Sequence, residues 1–226
     1  MTPQQFTMDL MPPPSFARDD FVLSGCNAMA ADWIDRWPNW SGRIKGLVLY
    51  GPPLCGKSHL AAIWQTKSQA KTFDKIDDST IYALDDHPHM IWDKPTPSSD
   101  WPEDLIFHLL NRLTEIEGSL LVLSDQPMTA IGWQIADVAS RLNGLSSATI
   151  TAPDDEMLMA LLFKHADDLG LALDADVARY IISRIDRRFD KAHHVMVQLN
   201  EAALSAKKNV TIHLVRDVLE EQLNLY

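Results

Sequence analysis

One stretch of eight residues restricts the fold of this chain more than any other. The segment GPPLCGKS, from Gly51 to Ser58, has two glycines separated by four residues, with lysine and serine directly after the second glycine. This is the pattern of a phosphate-binding loop. The segment follows the apolar run LVLY and precedes the helix-like SHLAAIWQTKS. A strand, a glycine-rich turn and a helix N-terminus form the setting in which such a loop surrounds phosphate, so the match predicts a nucleotide-binding α/β domain.

The residue types in the loop each suit one part of phosphate chemistry. The two glycines let the backbone turn so that its N–H groups face phosphate oxygens. Lys57 supplies a positive charge for the β- and γ-phosphates, and Ser58 offers a hydroxyl to Mg²⁺. We therefore expect ADP or ATP with Mg²⁺ as the ligand. The predicted nucleotide contacts of the loop and the start of its helix are Gly51, Pro52, Pro53, Leu54, Cys55, Gly56, Lys57, Ser58 and His59.

Strand-like and helix-like segments alternate over residues 21–152, which predicts an α/β domain with a parallel sheet and flanking helices. The further strand candidates are HMIW and SLLVLS, and the helix candidates include NAMAADWIDRW, with Asn27 as its N-cap, and LIFHLLNRLTEI. Over residues 153–226 we find four helical patterns and no strand pattern, which predicts a small all-helical domain. Residues 1–20 contain three consecutive prolines and are expected to form a flexible tail.

A phosphate loop needs an acidic residue at the end of a neighbouring strand to hold Mg²⁺ through water. Two segments end in acids: IYALDD, which closes with Asp85 and Asp86, and HMIWDK, which closes with Asp93 and Lys94. The first is the better bare pattern, but the second lies where a central strand is expected. We favour Asp93 and keep Asp86 as the alternative. With Asp93 in that role, Lys94 stands at the position of the usual second acid, so we expect slow intrinsic ATP hydrolysis.

Charge and composition limit the classes of partner. The net charge is −11, and an acidic chain neutralises a phosphate backbone poorly, so we do not expect direct sequence-specific DNA binding. No apolar run is long enough for a bilayer and no signal-peptide pattern occurs, so we expect a cytoplasmic protein with no membrane partner. Cys26 and Cys55 make no disulfide framework or metal-ligand spacing and are expected to be reduced thiols.

The order of several motifs resembles the DnaA-like AAA+ proteins. They are NAMAADWIDRWP, GPPLCGKSHLAAIW, FHLLNRL, SLLVLS and ASRL, followed by a C-terminal segment that begins at IDRRFDKAHHVM. More narrowly, the chain is similar to the Hda family, DnaA-related regulators of replication initiation, in its alphaproteobacterial form. The resemblance covers essentially the whole chain. It implies an AAA+ P-loop core with a small all-helical C-terminal lid, and no helix-turn-helix domain of the kind that DnaA carries after its lid.

The family's roles can be carried over to matching positions. The resemblance implies that Phe21 and Val22 border the adenine and that Ser124 is the first sensor position. It also implies that Arg141, in VASRL, is an arginine finger that acts catalytically on the ATP of a neighbouring subunit. One departure is at the lid position of the second sensor arginine, where Asp190 stands here. A carboxylate there repels phosphate, so we expect a weak grip on nucleotide or a preference for ADP.

The tail resembles the sliding-clamp-binding peptide that Hda proteins carry at the same end. Gln5 offers an amide to a polar pocket, while Phe6, Met8 and Leu10 suit an apolar one. The resemblance implies two partners, the DNA polymerase III sliding clamp (its β subunit) and DnaA, whose ATP hydrolysis the protein would promote. A homodimer is possible, since two tails would gain effective concentration. The alternatives are an autonomous P-loop ATPase or kinase, and a DNA-binding replication accessory of the AAA+ class.

Overall fold

The computed structural model describes residues 16–206 and 209–223 of the chain. These residues form two compact units, which divide between Asp154 and Asp155. The first unit is an α/β domain and the second is all-helical over its described residues. No helix in the described part of the chain is both long and apolar enough to cross a membrane.

The first unit is built on a five-stranded parallel sheet with the strand order β2-β3-β4-β1-β5. The strands are β1 (Lys45–Tyr50), β2 (Lys71–Thr72), β3 (His89–Asp93), β4 (Ser119–Ser124) and β5 (Ser146–Thr149). The helices are α1 (Ala28–Arg36), α2 (Lys57–Ser68), α3 (Asp78–Ala83), α4 (Glu103–Glu115) and α5 (Ala136–Asn143), with short 3-10 helices at Arg18–Asp20 and Met128–Ala130. The predicted parallel sheet with flanking helices is confirmed.

The central strands explain where the core lies. All six residues of β4 are buried, as are the middle four of β1, because helices cover both faces of a parallel sheet. Tyr50 at the end of β1 stands opposite Ser124 at the end of β4, and Asp93 of β3 stands opposite Leu123. The carboxyl ends of these three neighbouring strands therefore meet at one edge of the sheet.

The segment IYALDD is helical at its start. It is therefore not a strand that places an acid beside the phosphate loop. Its first residues belong to α3, whose N-terminus is a capping box: Asp77 accepts a hydrogen bond from the Thr80 N–H (3.0 Å), and the Thr80 hydroxyl interacts with the Asp77 N–H (3.3 Å). Asp85 pairs with Arg112 on α4. The alternative that placed Asp86 at the end of a strand was wrong, because the capping box stabilises a helix there.

Two short strands and one cap also differ from the sequence pattern. Neither β2 nor β5 was predicted, since the exposed Lys71–Thr72 and the polar Ser146–Thr149 lack an apolar run. Asn27 does stand at the N-cap of α1, but its side chain makes no cap hydrogen bond. It donates instead to the carbonyl of Val22 (2.9 Å) and accepts from the N–H of Ser24 (3.0 Å), which shapes the preceding loop.

The second unit contains α6 (Asp155–Asp168), α7 (Ala175–Ile182), α8 (Phe189–Ala206) and α9 (Ile212–Leu223). These correspond to the four helices that the sequence predicts. Their facing apolar side chains form one core, which includes Leu158, Leu162, Ile181, Met196, Leu199 and Val215. Each helix contributes apolar side chains to this core, as expected for a small helical domain.

Candidate nucleotide-binding site

A cavity of about 460 Å³ opens at the carboxyl edge of the sheet, where β1, β4 and β3 end. Its walls come from three places in the sequence: the phosphate loop, the end of β3 and the residue after β4. The lining residues are Pro53, Leu54, Cys55, Gly56, Lys57, Ser58, His59, Asp93, Lys94 and Asp125. A crevice beyond the carboxyl ends of parallel strands is the usual ligand site of open α/β folds.

The backbone of the loop requires glycine at two positions. Gly56 precedes α2 with a φ of +98°, in the left-handed region that disfavours residues with a Cβ. Gly51 lies so close to the residue that follows β5 that an added Cβ would stand 2.4 Å from the carbonyl oxygen of Ile150. The two glycines thus hold the loop tight between the sheet and the N-terminus of α2, whose free N–H groups and dipole favour an anion.

The ammonium group of Lys57 is fixed inside this loop. It donates to the carbonyl of Gly51 (2.8 Å), to that of Pro52 (3.0 Å) and to the carboxylate of Asp125 (2.9 Å). Only 11 % of its side chain is exposed, against 58 % for Asp125. Sequence reasoning did not select Asp125, although an acid directly after a strand that ends beside the phosphate loop was the available signal. Phosphate oxygens that reach Lys57 must compete with this carboxylate.

Ser124, the residue matched to the first sensor, does not line the cavity. It is buried, and its hydroxyl accepts a hydrogen bond from the N–H of Gln126 (3.2 Å). Its neighbour Asp125 reaches the site instead. The direction of the side chain at the end of a strand depends on the turn that follows, and the sequence pattern did not reveal this turn.

Asp93 and Lys94 lie on the opposite side of the cavity from the loop's own strand. Asp93 closes β3 and is exposed to the cavity. Lys94 has a φ of +52°, and its N–H donates to the carbonyl of Leu123 (2.8 Å). The oxygens of Ser58 and Asp93 are ligand types that suit Mg²⁺. The described residues contain no cluster of three metal-binding side chains, so a Mg²⁺ ion here would also need phosphate oxygens.

The residues matched to the adenine border lie beside the loop. The Phe21 ring is buried and would stand 3.1 Å from a Cβ on Gly56. It also meets the His59 ring edge-on at 5.2 Å, and Phe16 meets the same ring at 5.4 Å. Val22 is half-buried and is not a lining residue of the cavity. Phe21 thus packs against the phosphate loop and the first turn of α2.

Both cysteines are free thiols, as expected. Burial raises the pKa of the Cys55 thiol, although Lys57 lies 3.9 Å from its sulfur and acts in the opposite direction. Burial also raises the pKa of Cys26. The phosphate loop therefore contains a neutral thiol and no thiolate nucleophile.

Arg141 lies on α5, and it is not a lining residue of the cavity. Its Nη1 donates to the side-chain oxygen of Asn111 (2.6 Å), and its Nε lies 2.6 Å from the carboxylate of Asp137. The guanidinium carbon is 4.9 Å from the centre of the Phe107 ring, and 17 % of the side chain is exposed. The side chain of Arg141 is therefore held by residues of its own unit, which the sequence pattern did not reveal.

Gln5, Phe6, Met8 and Leu10 lie outside the described residues. Asp190, in the first turn of α8, forms a two-point pair with Arg188 at 2.8 and 2.9 Å. The Arg188 hydrogen bonds lower the pKa of the Asp190 carboxyl, so this carboxylate is already paired within the second unit.

Comparison with solved structures shows the AAA+ fold. Domain III of the Thermotoga maritima replication initiation protein DnaA matches with a TM-score of 0.72 at 16 % identity, over 92 % of this chain and 97 % of that one. AMPPCP-bound DnaA from Aquifex aeolicus matches with a TM-score of 0.73 at 13 % identity, over 96 % and 72 %. The Thermotoga maritima RuvB branch migration motor matches less closely, with a TM-score of 0.60 at 14 % identity, over 77 % and 61 %.

The helical unit decides which branch of this fold is present. Residues 154–219 match the family model of the Hda lid domain. The chain thus combines an Hda lid domain with a core that has the AAA+ fold also seen in DnaA. The Hda lid comprises α6 to α9 over its described residues, and the AAA+ core comprises the parallel sheet with the phosphate loop. The expected AAA+ core with a helical lid is thereby confirmed.

Proposed function

We propose that this protein is a negative regulator of replication initiation that binds ADP or ATP with Mg²⁺, docks on the DNA polymerase III sliding clamp and promotes ATP hydrolysis by DnaA. The observation that carries the proposal is the Hda lid match at residues 154–219 in a chain whose first unit contains a phosphate loop. The coupling has a simple logic: a clamp loaded on DNA reports that replication is running, and the initiator is then switched off.

The cavity supports the nucleotide part of the proposal. Gly56 and the N-terminus of α2 supply N–H groups, Lys57 supplies charge, and Ser58 and Asp93 supply oxygens for Mg²⁺. The AMPPCP-bound DnaA of Aquifex aeolicus, which shares the fold, holds a nucleotide analogue. Lys94 replaces the acid that would orient an attacking water, so the nucleotide acts here as a structural ligand with little turnover.

Arg141 supports the action on a partner. A guanidinium has five N–H donors, and the contacts with Asn111 and Asp137 use Nη1 and Nε. Donors remain on Nη1 and Nη2 for the oxygens of a γ-phosphate that a partner presents. Charge that develops on a transferring phosphoryl group is stabilised by such an arginine, by about 10³–10⁵ in rate where it has been measured. The contacts of Arg141 fix the orientation of its guanidinium before a partner binds, which favours this role.

The test measures ATP hydrolysis by DnaA in the presence of DNA-loaded clamp, with and without this protein. We expect stimulation by the wild type and loss of stimulation in Arg141→Ala and in Arg141→Lys, since lysine keeps the charge but not the planar fork of donors. Arg43→Ala is the matched control, because Arg43 is an exposed arginine of the same unit with no ion pair within the described residues. No stimulation by the wild type, or full stimulation by Arg141→Ala, contradicts the proposal.

The clamp part of the proposal is tested on the tail. Gln5→Ala, and separately a deletion of residues 1–10, should abolish binding to the clamp while the DnaA-related core keeps its nucleotide affinity. Loss of affinity is expected because a short peptide binds through few groups, so each anchor accounts for a large share of the binding energy. Unchanged clamp binding in both variants would assign docking to another surface. A homodimer with two tails should bind a clamp ring more tightly than a monomer.

A further inference from the structure

A groove of about 450 Å³ lies between α3 and α4 on the surface of the α/β unit. Its lining residues are Asp78, Ile81 and Tyr82 from α3, and His108, Asn111, Arg112 and Glu115 from α4. None of them lines the nucleotide cavity, so this α3–α4 groove is a separate feature of the unit. The nucleotide binding proposed above does not use it.

Tyr82 is the most exposed large hydrophobic side chain among the described residues, at 73 %. The preceding Ile81 packs against the core of the unit, and the capping box of Asp77 and Thr80 holds the start of α3. Tyr82 is therefore presented to solvent by a helix that is anchored to the unit. A tyrosine offers a partner a large apolar ring and a hydroxyl at low entropic cost, and tyrosine is enriched among the residues that dominate protein interfaces.

The charged groups of the α3–α4 groove determine which partner suits it. Arg112 is paired with Asp85 and with Glu115. The exposed Asp78 forms no ion pair in the described part of the chain. Three carboxylates and one guanidinium give these four side chains a net charge of −2. Opposite charges attract across an interface, so the groove favours a cationic side chain and disfavours nucleic acid.

Asn111 connects the α3–α4 groove to Arg141. It lines the groove, and its side-chain oxygen accepts the hydrogen bond from Arg141 (2.6 Å). Glu115 lies about one turn further along α4, about 6 Å away along the helix axis. A standard protein interface covers about 800 Å² on each partner, which is a patch about 16 Å in radius. A partner that brings a phosphate to Arg141 therefore also covers the α3–α4 groove.

We propose that the α3–α4 groove is a docking site for a basic segment of DnaA, and that it sets the affinity of the two proteins while Arg141 acts on the ATP. The inference rests on the proposed function. The stem of a lysine or arginine side chain packs on the Tyr82 ring, and its charged head pairs with the carboxylates of Asp78 and Glu115. The groove thus selects a partner by its chemistry before the phosphate is reached.

The test titrates ATP-bound DnaA and DNA-loaded clamp with increasing amounts of this protein, and yields a maximal rate of hydrolysis and a half-maximal concentration. In Tyr82→Ser we expect the half-maximal concentration to rise about tenfold, and in Asp78→Asn about threefold, with the maximal rate within about twofold of the wild type. Arg141→Lys should lower the maximal rate instead. Binding of the two groove variants to the clamp alone should equal that of the wild type.

Matched controls come from other surfaces of the chain. Met29→Ser changes an exposed apolar residue on α1, which packs on α2, and Asp167→Asn removes an exposed acid of the helical unit. Both should leave the maximal rate and the half-maximal concentration unchanged. Circular dichroism establishes that each variant is folded. Asp78→Asn, a change at an exposed position, still tests the groove if Tyr82→Ser does not fold.

The possible results separate this inference from the proposed function. If the wild type stimulates DnaA and both groove variants keep its half-maximal concentration, the docking site is overturned and the proposed function stands. A variant that lowers only the maximal rate overturns it as well. If sedimentation shows that Tyr82→Ser breaks a homodimer while the response of DnaA is unchanged, the groove holds a second copy of this chain and the inference fails. No stimulation by the wild type contradicts the proposed function itself.

Discussion

The side chains of Arg141 and Asn111 are joined across two helices by a hydrogen bond of 2.6 Å. The donor is on α5 and the acceptor is on α4, thirty residues earlier in the chain. Asp137 and the Phe107 ring complete the surroundings of the guanidinium. The residue proposed to act on a partner is thus also part of the packing of its own domain.

Arg141→Ala should lower the free energy of unfolding by about 1–2 kcal/mol, because it removes hydrogen bonds to a charged group and leaves the oxygen of Asn111 without its donor. Urea denaturation measures the effect. The exposed Arg43→Ala should change stability by less than about 0.5 kcal/mol. Equal stability of the two variants would show that the contacts of Arg141 add nothing to the folded state.

Glu103→Ala should destabilise the start of α5. The Glu103 carboxylate, on α4, accepts hydrogen bonds from the N–H groups of Gln134 and Ile135 at 2.7 to 2.9 Å, where α5 has no cap of its own. Loss of a cap costs about 1 kcal/mol. The neighbouring Asp104→Ala is the control, since Asp104 is an exposed acid in the same helical turn. Hydrogen exchange at Gln134 and Ile135 should accelerate in Glu103→Ala only.

Gly56→Ala should damage both stability and the phosphate loop. An alanine at a φ of +98° is strained, and its Cβ would stand 3.1 Å from the Phe21 ring, so we expect a loss of about 1–2 kcal/mol. Nucleotide affinity should fall in parallel, because the N–H groups of the loop shift. Gly25→Ala is the control, since Gly25 does not have a positive φ and an added Cβ would have no atom within 4 Å. Matching results for the two glycines would contradict the strain at Gly56.

His89→Phe should reduce the acid sensitivity of the α/β unit. Burial, and next the charge of Lys45, lower the pKa of His89 below its ordinary value of 6.5. Above pH 6.5 the ring is neutral in both states and contributes no pH dependence. As the pH falls below 6.5, the unfolded chain takes up a proton that the folded protein does not, so the free energy of unfolding decreases.

The size of the His89 effect is limited by the partial exposure of the ring. Solvent screening at this half-buried ring reduces the effect of the lowered pKa on the free energy of unfolding. Urea denaturation at pH 7.5 and pH 5.5 compares the wild type with His89→Phe. A wild type that loses no more stability than the variant over this range would show that His89 protonates equally in both states.

Local patterns predicted the parts of the molecule whose signals lie close together in the sequence. The phosphate loop, the buried strands and the four lid helices belong to this class, since periodicity and glycine spacing are local properties. The helix at Asp78–Ala83 was not predicted, because its short apolar run suits a strand as well as a helix. The signal for a helix was the capping box formed by Asp77 and Thr80, just before that run. Short apolar runs leave this choice open.

The contacts that define the site could not be read from spacing. Asp125 meets Lys57 across 68 residues, and Asn111 meets Arg141 across 30. Both depend on which strands and helices become neighbours, and on the turn that directs a side chain after its strand. The sequence indicated the residue types of the site, whereas the folded sheet and helices determine which of them touch.

Glu103, Phe107 and Asn111 are spaced four residues apart on α4, so they share one face of the helix. The first holds the start of α5, and the other two contact Arg141 near its end. Arg141 therefore cannot change position without moving α4 or breaking several of these contacts. Under the proposed function, a partner would have to bring its phosphate to the fixed position of this guanidinium. Only ATP that is correctly aligned with this guanidinium would then be hydrolysed, and misaligned ATP would be left uncleaved.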